Sequence, residues 1–194
     1  AGESRKGVRM LTATKVTSAE GDDAREVERL LKAAFPANEQ APFAALVESA
    51  QCDDVSLLAY RDDGIFCGFV FMVEDERLAY ILYLAVDERL RSQGYGGRIL
   101  GDVAQRCAGK TVTLDIELVE EGVADLAQRT KRRAFYLRNG FQPTGFAVCY
   151  AGDTFEALAC GEDFEEGRFA ALVTKLPRGD GKTVVPMKRT LSDA

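Results

Sequence analysis

The chain of 194 residues has 46% hydrophobic and 29% charged residues, a composition typical of one globular domain of ordinary size. Its 25 basic and 31 acidic residues give a formal net charge of −6, which argues against a general nucleic-acid binder because such a protein needs a basic surface. Histidine is absent, so Ser-His and Cys-His nucleophilic mechanisms are excluded, and any acid–base chemistry must come from Glu, Asp, Tyr, Lys or water.

The first half of the chain predicts one strand, two short helices and a block of three strands. Val8 to Val16 is the first strand. Apolar residues then recur at helical spacing twice, on either side of the proline-punctuated loop Phe35 to Pro42. Three strand-like runs follow, separated by polar turns: Val55 to Tyr60, Ile65 to Val73 and Leu78 to Val86. The last run is apolar almost throughout, which is typical of a central strand covered on both faces.

The second half predicts further helices and strands around a glycine-rich turn. These are a helix after Arg91, a strand from Thr111 to Leu118, a helix from Ala124 to Arg138, and a hairpin of Phe146 to Tyr150 and Thr154 to Ala159. Glu165 to Lys175 fits either a helix or a last strand. The order β-α-α-β-β-β-α-β-α-β-β predicts a mixed α/β (α+β) sheet with helices on both faces. We assign residues 1–176 to one domain and residues 177–194 to a C-terminal tail or extension.

The most informative segment is Leu84 to Leu100, where a buried strand runs into a basic, glycine-rich turn that opens a helix. Such a turn directs free N–H groups and the positive end of a helix at one point, which is how proteins bind phosphate. The stretch Arg91-Ser92-Gln93-Gly94-Tyr95-Gly96 resembles the Arg/Gln-x-x-Gly-x-Gly/Ala hallmark of the GNAT superfamily of acyl-CoA-dependent N-acetyltransferases. The preceding Leu84-Ala85-Val86-Asp87 is similar to that family's strand end.

The resemblance implies that the turn binds the pyrophosphate of coenzyme A and that the strand end pairs with its pantetheine arm. Glycines would let the backbone approach the anion without a Cβ in the way. The implied cofactor-binding residues are Leu84, Ala85, Val86, Arg91, Ser92, Gln93, Gly94, Tyr95, Gly96 and Gly97.

A second motif, within Arg133 to Phe141, resembles the Phe-Tyr-x-x-x-Gly-Phe segment that closes the cofactor site in many GNAT enzymes. With the strand order, the resemblance covers roughly residues 8 to 160. It implies that Tyr136 donates a proton to the departing thiolate, and a phenol of pKa near 10 suits that role. The alternative for Tyr136 is a core tyrosine. Many relatives carry Asn about two turns earlier, where this chain has the basic run Arg129 to Arg133, which fits a coenzyme phosphate contact or a solvated face.

Carboxylates on the strand Thr111 to Leu118 are candidates for the general base. A strand beside the cofactor strand should be apolar on both faces, so carboxylates there are costly unless they are used or paired. We predict Glu117 as the base because it lies nearer the end where the cleft should open. Asp115 is deeper and is interpreted as structural. Glu39, in the loop between the first two helices, is the rival, and water remains a third choice.

The resemblance implies a sheet of six or seven strands whose central parallel strands, Leu78 to Val86 and Thr111 to Leu118, splay around the cofactor. It implies acetyl-CoA as co-substrate, no metal, and direct acetyl transfer to a primary amine in a ternary complex, with the N–H of Val86 or a neighbour polarising the carbonyl. The alternative is a non-catalytic acyl-CoA-binding or regulatory domain of the same fold. The acceptor (a polyamine, an antibiotic, a peptide or a protein N-terminus) and the oligomeric state, a homodimer included, stay open.

Two further expectations concern the cell compartment and the cysteines. No apolar run is long enough for a membrane helix and no secretory leader is evident, so we expect a cytoplasmic protein without a membrane partner. The five cysteines are scattered and odd in number, without a Cys-x-x-Cys pair, which predicts buried reduced thiols rather than disulfides or a zinc site.

Overall fold

The computed structural model describes residues 11–150, 153–176 and 185–188, so residues 8–10 of the first predicted strand lie outside the described residues. The strands are β1 (Leu11–Lys15), β2 (Val55–Asp62), β3 (Ile65–Glu74), β4 (Leu78–Val86), β5 (Thr111–Glu117), β6 (Gln142–Tyr150), β7 (Asp153–Cys160) and β8 (Val185–Lys188). The helices are α1 (Asp22–Ala34), α2 (Phe43–Ser49), α3 (Tyr95–Arg106), α4 (Leu126–Arg138) and α5 (Glu166–Lys175). Short 3-10 turns lie at Ala37–Glu39 and Glu88–Leu90.

The described strands form one sheet in the spatial order β1-β2-β3-β4-β5-β7-β6-β8. Its pairs are antiparallel except for β4 and β5, which run parallel. The predicted GNAT-like mixed sheet with helices on both faces is therefore confirmed. The sheet has eight strands rather than six or seven, because residues 185–188, within the stretch assigned to the tail, pair with β6.

Each face of the sheet carries its own hydrophobic core. On one face α1, α2 and α5 bury apolar side chains against the strands, and on the other α3 and α4 do the same. The ambiguous segment at Glu165 to Lys175 is a helix because Phe169, Leu172 and Val173, at helical spacing, are buried on the first face. Phe169 meets Tyr80 of β4 edge-on, with ring centroids 5.6 Å apart.

The two parallel strands diverge along their length. β4 and β5 pair only from Leu78↔Thr111 to Ile81↔Leu114. Beyond that point β4 stays with β3 as far as Val86, whereas β5 continues beside β7 as far as Glu117. Leu82 is an extra residue in the β3–β4 register, and such a bulge bends its strand locally. The predicted splay is thus confirmed, and we call the opening between the two strands the fork.

The described residues contain no helix long and apolar enough to cross a membrane. Among the cysteines, Cys67 and Cys107 are buried as predicted, and burial raises the pKa of the Cys107 thiol to about 11. Cys149 and Cys160 are half-buried. Cys52 is exposed, contrary to the prediction, because it lies in the turn between α2 and β2.

Candidate active site

A cleft of about 490 Å³ opens at the fork. Its wall comprises the loop after α1, the second half of β4, the turn after β4, the end of β5 and one side of α4. Of the predicted site residues, Glu39, Leu84, Ala85, Val86, Arg91, Ser92, Asp115, Glu117 and Tyr136 line it. The fold therefore brings the predicted cofactor strand, the proton donor and both rival bases into one cavity.

Backbone groups of β4 face the cleft at alternate residues. The N–H of Asp87 donates to the carbonyl of Cys67 on β3 at 2.8 Å. Because hydrogen bonding alternates in an antiparallel pair, Ala85 also turns its backbone polar groups toward β3, whereas Leu84 and Val86 turn theirs to the opposite side. On that side β5 has already diverged, so Leu84 and Val86 present N–H and C=O groups to the fork.

The turn that follows β4 is fixed by the buried carboxylate of Asp87. Arg89 donates to it from Nε at 2.8 Å and from its own backbone N–H at 3.0 Å, and Arg29 of α1 donates at 2.5 Å. These hydrogen bonds, those of Arg89 first, hold the pKa of Asp87 well below its usual range, so it stays ionised. The consequence is a turn tied to α1 at the point where the chain presents Arg91 to the cleft.

The backbone then passes through two left-handed residues before α3 begins. Ser92 has φ of 64° and Gly94, the N-cap of α3, has φ of 83°. No side chain caps this helix end, and an uncapped N-terminus presents N–H groups suited to an anion. Gln93, Gly94, Tyr95, Gly96 and Gly97 do not line the cleft itself, and their contact with the cofactor stays a prediction.

Two of these residues have a structural role in the fold. A Cβ at Gly96 would lie 2.8 Å from Cζ of Phe135, so the glycine is required where α3 packs against α4. The Tyr95 hydroxyl donates to the buried carboxylate of Asp62 at 2.9 Å, which fixes the start of α3 on the sheet. The packing at Gly96 was not foreseen from the sequence, where the glycine was explained only by its approach to an anion.

Tyr136 reaches the cleft from α4. Its ring is buried and packs edge-on between Phe135 and Phe141, with centroids 5.1 and 5.6 Å away. Burial raises the pKa of Tyr136 to about 12, against a lowering by Arg132. The phenol is therefore protonated at neutral pH, as a proton donor must be. It packs in the core and also faces the cleft, so the two interpretations of its role are compatible.

The basic run of α4 divides between the cleft and the surface. Lys131 and Arg132 line the cleft. Arg129 pairs with Asp125 at 2.8 Å and Arg133 pairs with Glu156 at 2.9 Å. The run is thus neither a uniform solvated face nor a uniform phosphate contact, because successive residues of a helix point in different directions.

Three carboxylates, those of Glu39, Asp115 and Glu117, lie near one another in the wall of the cleft. Glu117 forms an ion pair with Arg132, and Asp115 accepts a hydrogen bond from the hydroxyl of Tyr80. Burial raises the pKa of Asp115 to about 8, with further contributions from the charges of Glu39 and Glu117. Asp115 was interpreted from the sequence as structural, yet it lines the cleft beside both predicted bases.

Sequence reasoning missed Tyr83 of β4. Its hydroxyl accepts a hydrogen bond from the N–H of Ala41 at 2.9 Å and donates one to the carbonyl of Glu39 at 2.6 Å. Its ring packs edge-on against Phe35, with centroids 4.8 Å apart. Tyr83 thereby ties the loop that carries Glu39 to the cofactor strand. The signal in the sequence that could have revealed it is the one tyrosine in the otherwise aliphatic second half of β4, residues 82–86.

A sheet that forks between two parallel strands and carries helices on both faces is the GNAT-like fold. Residues 53–143 match the family model of the acetyltransferase (GNAT) domain. This range includes the Arg91 turn and Tyr136, but it begins after Glu39. The matched residues contain both motifs quoted from the sequence, and the resemblance inferred there is confirmed.

One curated protein and several solved structures are similar to this chain. Over 68 residues the chain is 40% identical to the protein described as "Probable toxin TacT" of Sinorhizobium fredii, a match that covers 34% of this chain and only 38% of that protein. The fold is similar to a solved structure described as "Putative acetyltransferase from GNAT family" of Bacteroides thetaiotaomicron, with a TM-score of 0.66 and 22% identity over 85% of this chain and 95% of that chain. An aminoglycoside 6'-N-acetyltransferase complexed with coenzyme A gives a TM-score of 0.60 and 16% identity over 79% and 99% of the two chains.

Proposed function

We propose that this protein transfers an acetyl group from acetyl-CoA to a primary amine, by direct transfer within a ternary complex. The observation that carries the proposal is the fork, where Leu84 and Val86 direct N–H and C=O groups into a cleft that also contains Tyr136 and three carboxylates. A cleft that joins backbone donors, a protonated phenol and carboxylates has the groups that acyl transfer to an amine requires.

Acetyl-CoA fits the residues on the donor side of this cleft. A pantetheine arm carries amide groups, and β4 offers it the backbone groups of Leu84 and Val86 in place of the missing strand. The pyrophosphate would meet the Arg91 guanidinium, the Ser92 turn and the N-terminus of α3. Acetyl-CoA supplies the activated thioester.

The remaining chemistry belongs to the chain's own side chains. The N–H of Val86 donates to the thioester carbonyl and stabilises negative charge on its oxygen. The amine nitrogen forms a bond to the acetyl carbon as the carbon–sulfur bond breaks, and Tyr136 provides the proton that the departing sulfur takes up. The proton that the nitrogen loses as the amide forms restores the Tyr136 phenol. A carboxylate of the Glu39, Asp115 and Glu117 cluster, for which the sequence favoured Glu117, accepts the proton that the ammonium must lose.

The acceptor is a cationic amine in this proposal. Glu39, Asp115 and Glu117 line the cleft near one another, and its basic lining residues are Arg91, Lys131 and Arg132, of which Arg132 is paired with Glu117. Carboxylates there favour an ammonium over a neutral or anionic acceptor. Polyamines, aminoglycosides and peptides with a free N-terminus all have that chemistry.

Two measurements on the wild-type protein test the proposal. Acetyl-CoA should raise the melting temperature, since a ligand selective for the folded state stabilises it by about 2.7 kcal/mol at 100 times its Kd. Thiol release from acetyl-CoA should then require an amine from a panel of a polyamine, an aminoglycoside and a short peptide. Stabilisation without thiol release for any amine would favour a non-catalytic acyl-CoA-binding domain. No stabilisation at millimolar acetyl-CoA would remove the proposal altogether.

A further inference from the structure

Tyr136 and Asp115 lie on opposite faces of β5 at the fork. Tyr136 packs in the core beneath α3 and α4, together with Leu114 and Ile116 of β5. Side chains alternate along a strand, so Asp115 points to the other face, where its hydrogen-bond donor Tyr80 packs in the core beneath α1, α2 and α5. Tyr136 and Asp115 therefore approach the fork from two sides.

This arrangement restricts where the acceptor enters. A thioester in the fork with its sulfur toward Tyr136 leaves the opposite face for the attacking amine. The group that takes the ammonium proton must then lie on the face of Asp115, since proton transfer requires hydrogen-bond reach. The loop that carries Glu39 covers the same face and is held there by Tyr83.

The three carboxylates differ in their contacts. Glu117 is engaged by Arg132, which holds its carboxylate in place. Glu39 lies on a loop rather than on the sheet, and loops position a group less rigidly. Asp115 follows Leu114, the last β5 residue that pairs with β4, and so lies at the apex of the fork. Tyr80 hydrogen-bonds to its carboxylate and orients it.

We propose that Asp115 is the general base, and that Glu117, held by Arg132, attracts and positions the ammonium of the acceptor. The inference rests on the proposed function. One proton passes from the ammonium nitrogen to the Asp115 carboxylate, the free amine attacks the acetyl carbon as the carbon–sulfur bond breaks, and the departing sulfur takes its proton from Tyr136. The second proton, which the nitrogen loses as the amide forms, restores the Tyr136 phenol. A carboxyl with a pKa of about 8 suits this role, because a base works best with a pKa near the working pH.

The groups that face Asp115 set the expected pH dependence. They are Tyr80 and Tyr83 from β4, Glu39 from its loop, Glu117 from the same strand and, across the fork, Tyr136 from α4. Arg132 of α4 pairs with Glu117. Its β7 neighbour, Ala157, carries no charge. Turnover at saturating substrates should rise with pH up to about 8 and then level off, as the carboxylate becomes available.

The test compares Asp115→Asn with Glu117→Gln as the matched control, using an amine that the wild-type protein acetylates. Asn keeps the size of Asp and can accept the Tyr80 hydrogen bond but cannot take a proton. We expect turnover to fall roughly 10²- to 10⁴-fold, the rising limb near pH 8 to disappear, and stabilisation by acetyl-CoA to persist. The loss should shrink for a weakly basic amine that is already neutral at pH 7. Glu117→Gln should mainly raise the KM for the acceptor and should keep the rise of turnover with pH.

Wild-type turnover and an intact limb in Asp115→Asn, with chemistry shown to be rate-limiting, would overturn the inference alone. Loss of the limb in Glu117→Gln instead would assign the base to Glu117. Failure of the wild-type protein to acetylate any amine would defeat the proposed function itself, which is a distinct result.

A stability measurement checks the same carboxyl without turnover. Its pKa is raised in the folded protein, so its contribution to stability is full below about pH 4 and is lost as the pH rises through about 8. Asp115→Asn should therefore gain melting temperature relative to wild type between pH 5 and pH 9. A constant difference over that range would contradict the buried, proton-binding carboxyl on which the inference relies.

Discussion

The side of the cleft proposed to bind the acetyl donor, acetyl-CoA, and the side proposed to bind the acceptor amine are built in different ways. The donor side consists of the end of β4, the Arg91–Ser92 turn and the start of α3, which follow one another in the chain, and it offers mainly backbone N–H groups. The acceptor side consists of Glu39, Asp115 and Glu117, which come from two distant segments and act through side chains. A cofactor common to a family can be bound by a local backbone motif, whereas a particular acceptor needs side chains that only the folded chain assembles.

Tyr136 stands at the junction of the two sides, so its replacement should have the largest effect. Tyr136→Phe removes one hydroxyl and keeps the ring between Phe135 and Phe141. We expect kcat to fall about 10²- to 10⁴-fold while acetyl-CoA still stabilises the fold. The loss should be smaller with an acyl donor whose thiol leaves more easily, because that thiolate needs less help from a proton.

The control for Tyr136→Phe is Tyr60→Phe, which removes a phenol hydroxyl that donates to Asp102 at 2.9 Å, away from the cleft. The control should lower the melting temperature and leave kcat as it is. If Tyr136→Phe behaved in the same way, with product release shown to be fast, Tyr136 would be a core residue only.

A substitution on the donor side should affect acetyl-CoA alone. Arg91→Ala removes a cleft-lining guanidinium, and charge-assisted hydrogen bonds contribute about 1.5–3 kcal/mol. We expect acetyl-CoA affinity to fall about 10- to 100-fold, measured by titration calorimetry, with the KM for the amine unchanged. Arg138→Ala, at the exposed end of α4, is the matched control and should bind normally. An equal rise in the KM for the amine would mean that the two sides are not separable.

The smallest effect is expected on the acceptor side at Tyr83. Tyr83→Phe keeps the contact with Phe35 but releases the backbone of Glu39 and Ala41 from β4. A neutral hydrogen bond contributes about 0.5–1.5 kcal/mol, so the KM for the amine should rise about 2- to 10-fold with acetyl-CoA affinity unchanged. Ser49→Ala removes a hydrogen bond from a hydroxyl to a carbonyl within α2, and it should change neither the KM for the amine nor the affinity for acetyl-CoA. Weaker acetyl-CoA binding in Tyr83→Phe would assign the residue to the donor side.

The sequence predicted β4, the glycine-rich turn, α3 and α4 well because their signals are local. The apolar run of β4, the glycines before α3 and the Phe-Tyr segment each carry their meaning within a few residues. The splay of β4 and β5 followed from the resemblance, and the register confirms it. The eighth strand was not predicted, because four residues in a stretch rich in Pro, Gly, Lys and Ser acquire strand structure only by pairing with β6.

The contacts of the three carboxylates could not be predicted from the sequence, for a physical reason. Asp115 accepts a hydrogen bond from Tyr80, which lies 35 positions earlier, and is influenced by the charge of Glu39 from another loop. The position of Glu117 depends on Arg132 of α4. No local pattern reports such neighbours. The same holds for Gly96, whose packing against Phe135 joins two helices that the sequence keeps apart.

The eighth strand also bears on how the protein behaves when concentrated. In the sheet as described, the two outermost strands are β1, of five residues, and β8, of four. Short edge strands offer little unpaired backbone to another chain, which limits edge-to-edge aggregation. Without residues 185–188 the outermost strand would be the nine-residue β6. Residues 185–188 therefore cover part of a longer strand whose unpaired backbone could pair with another chain.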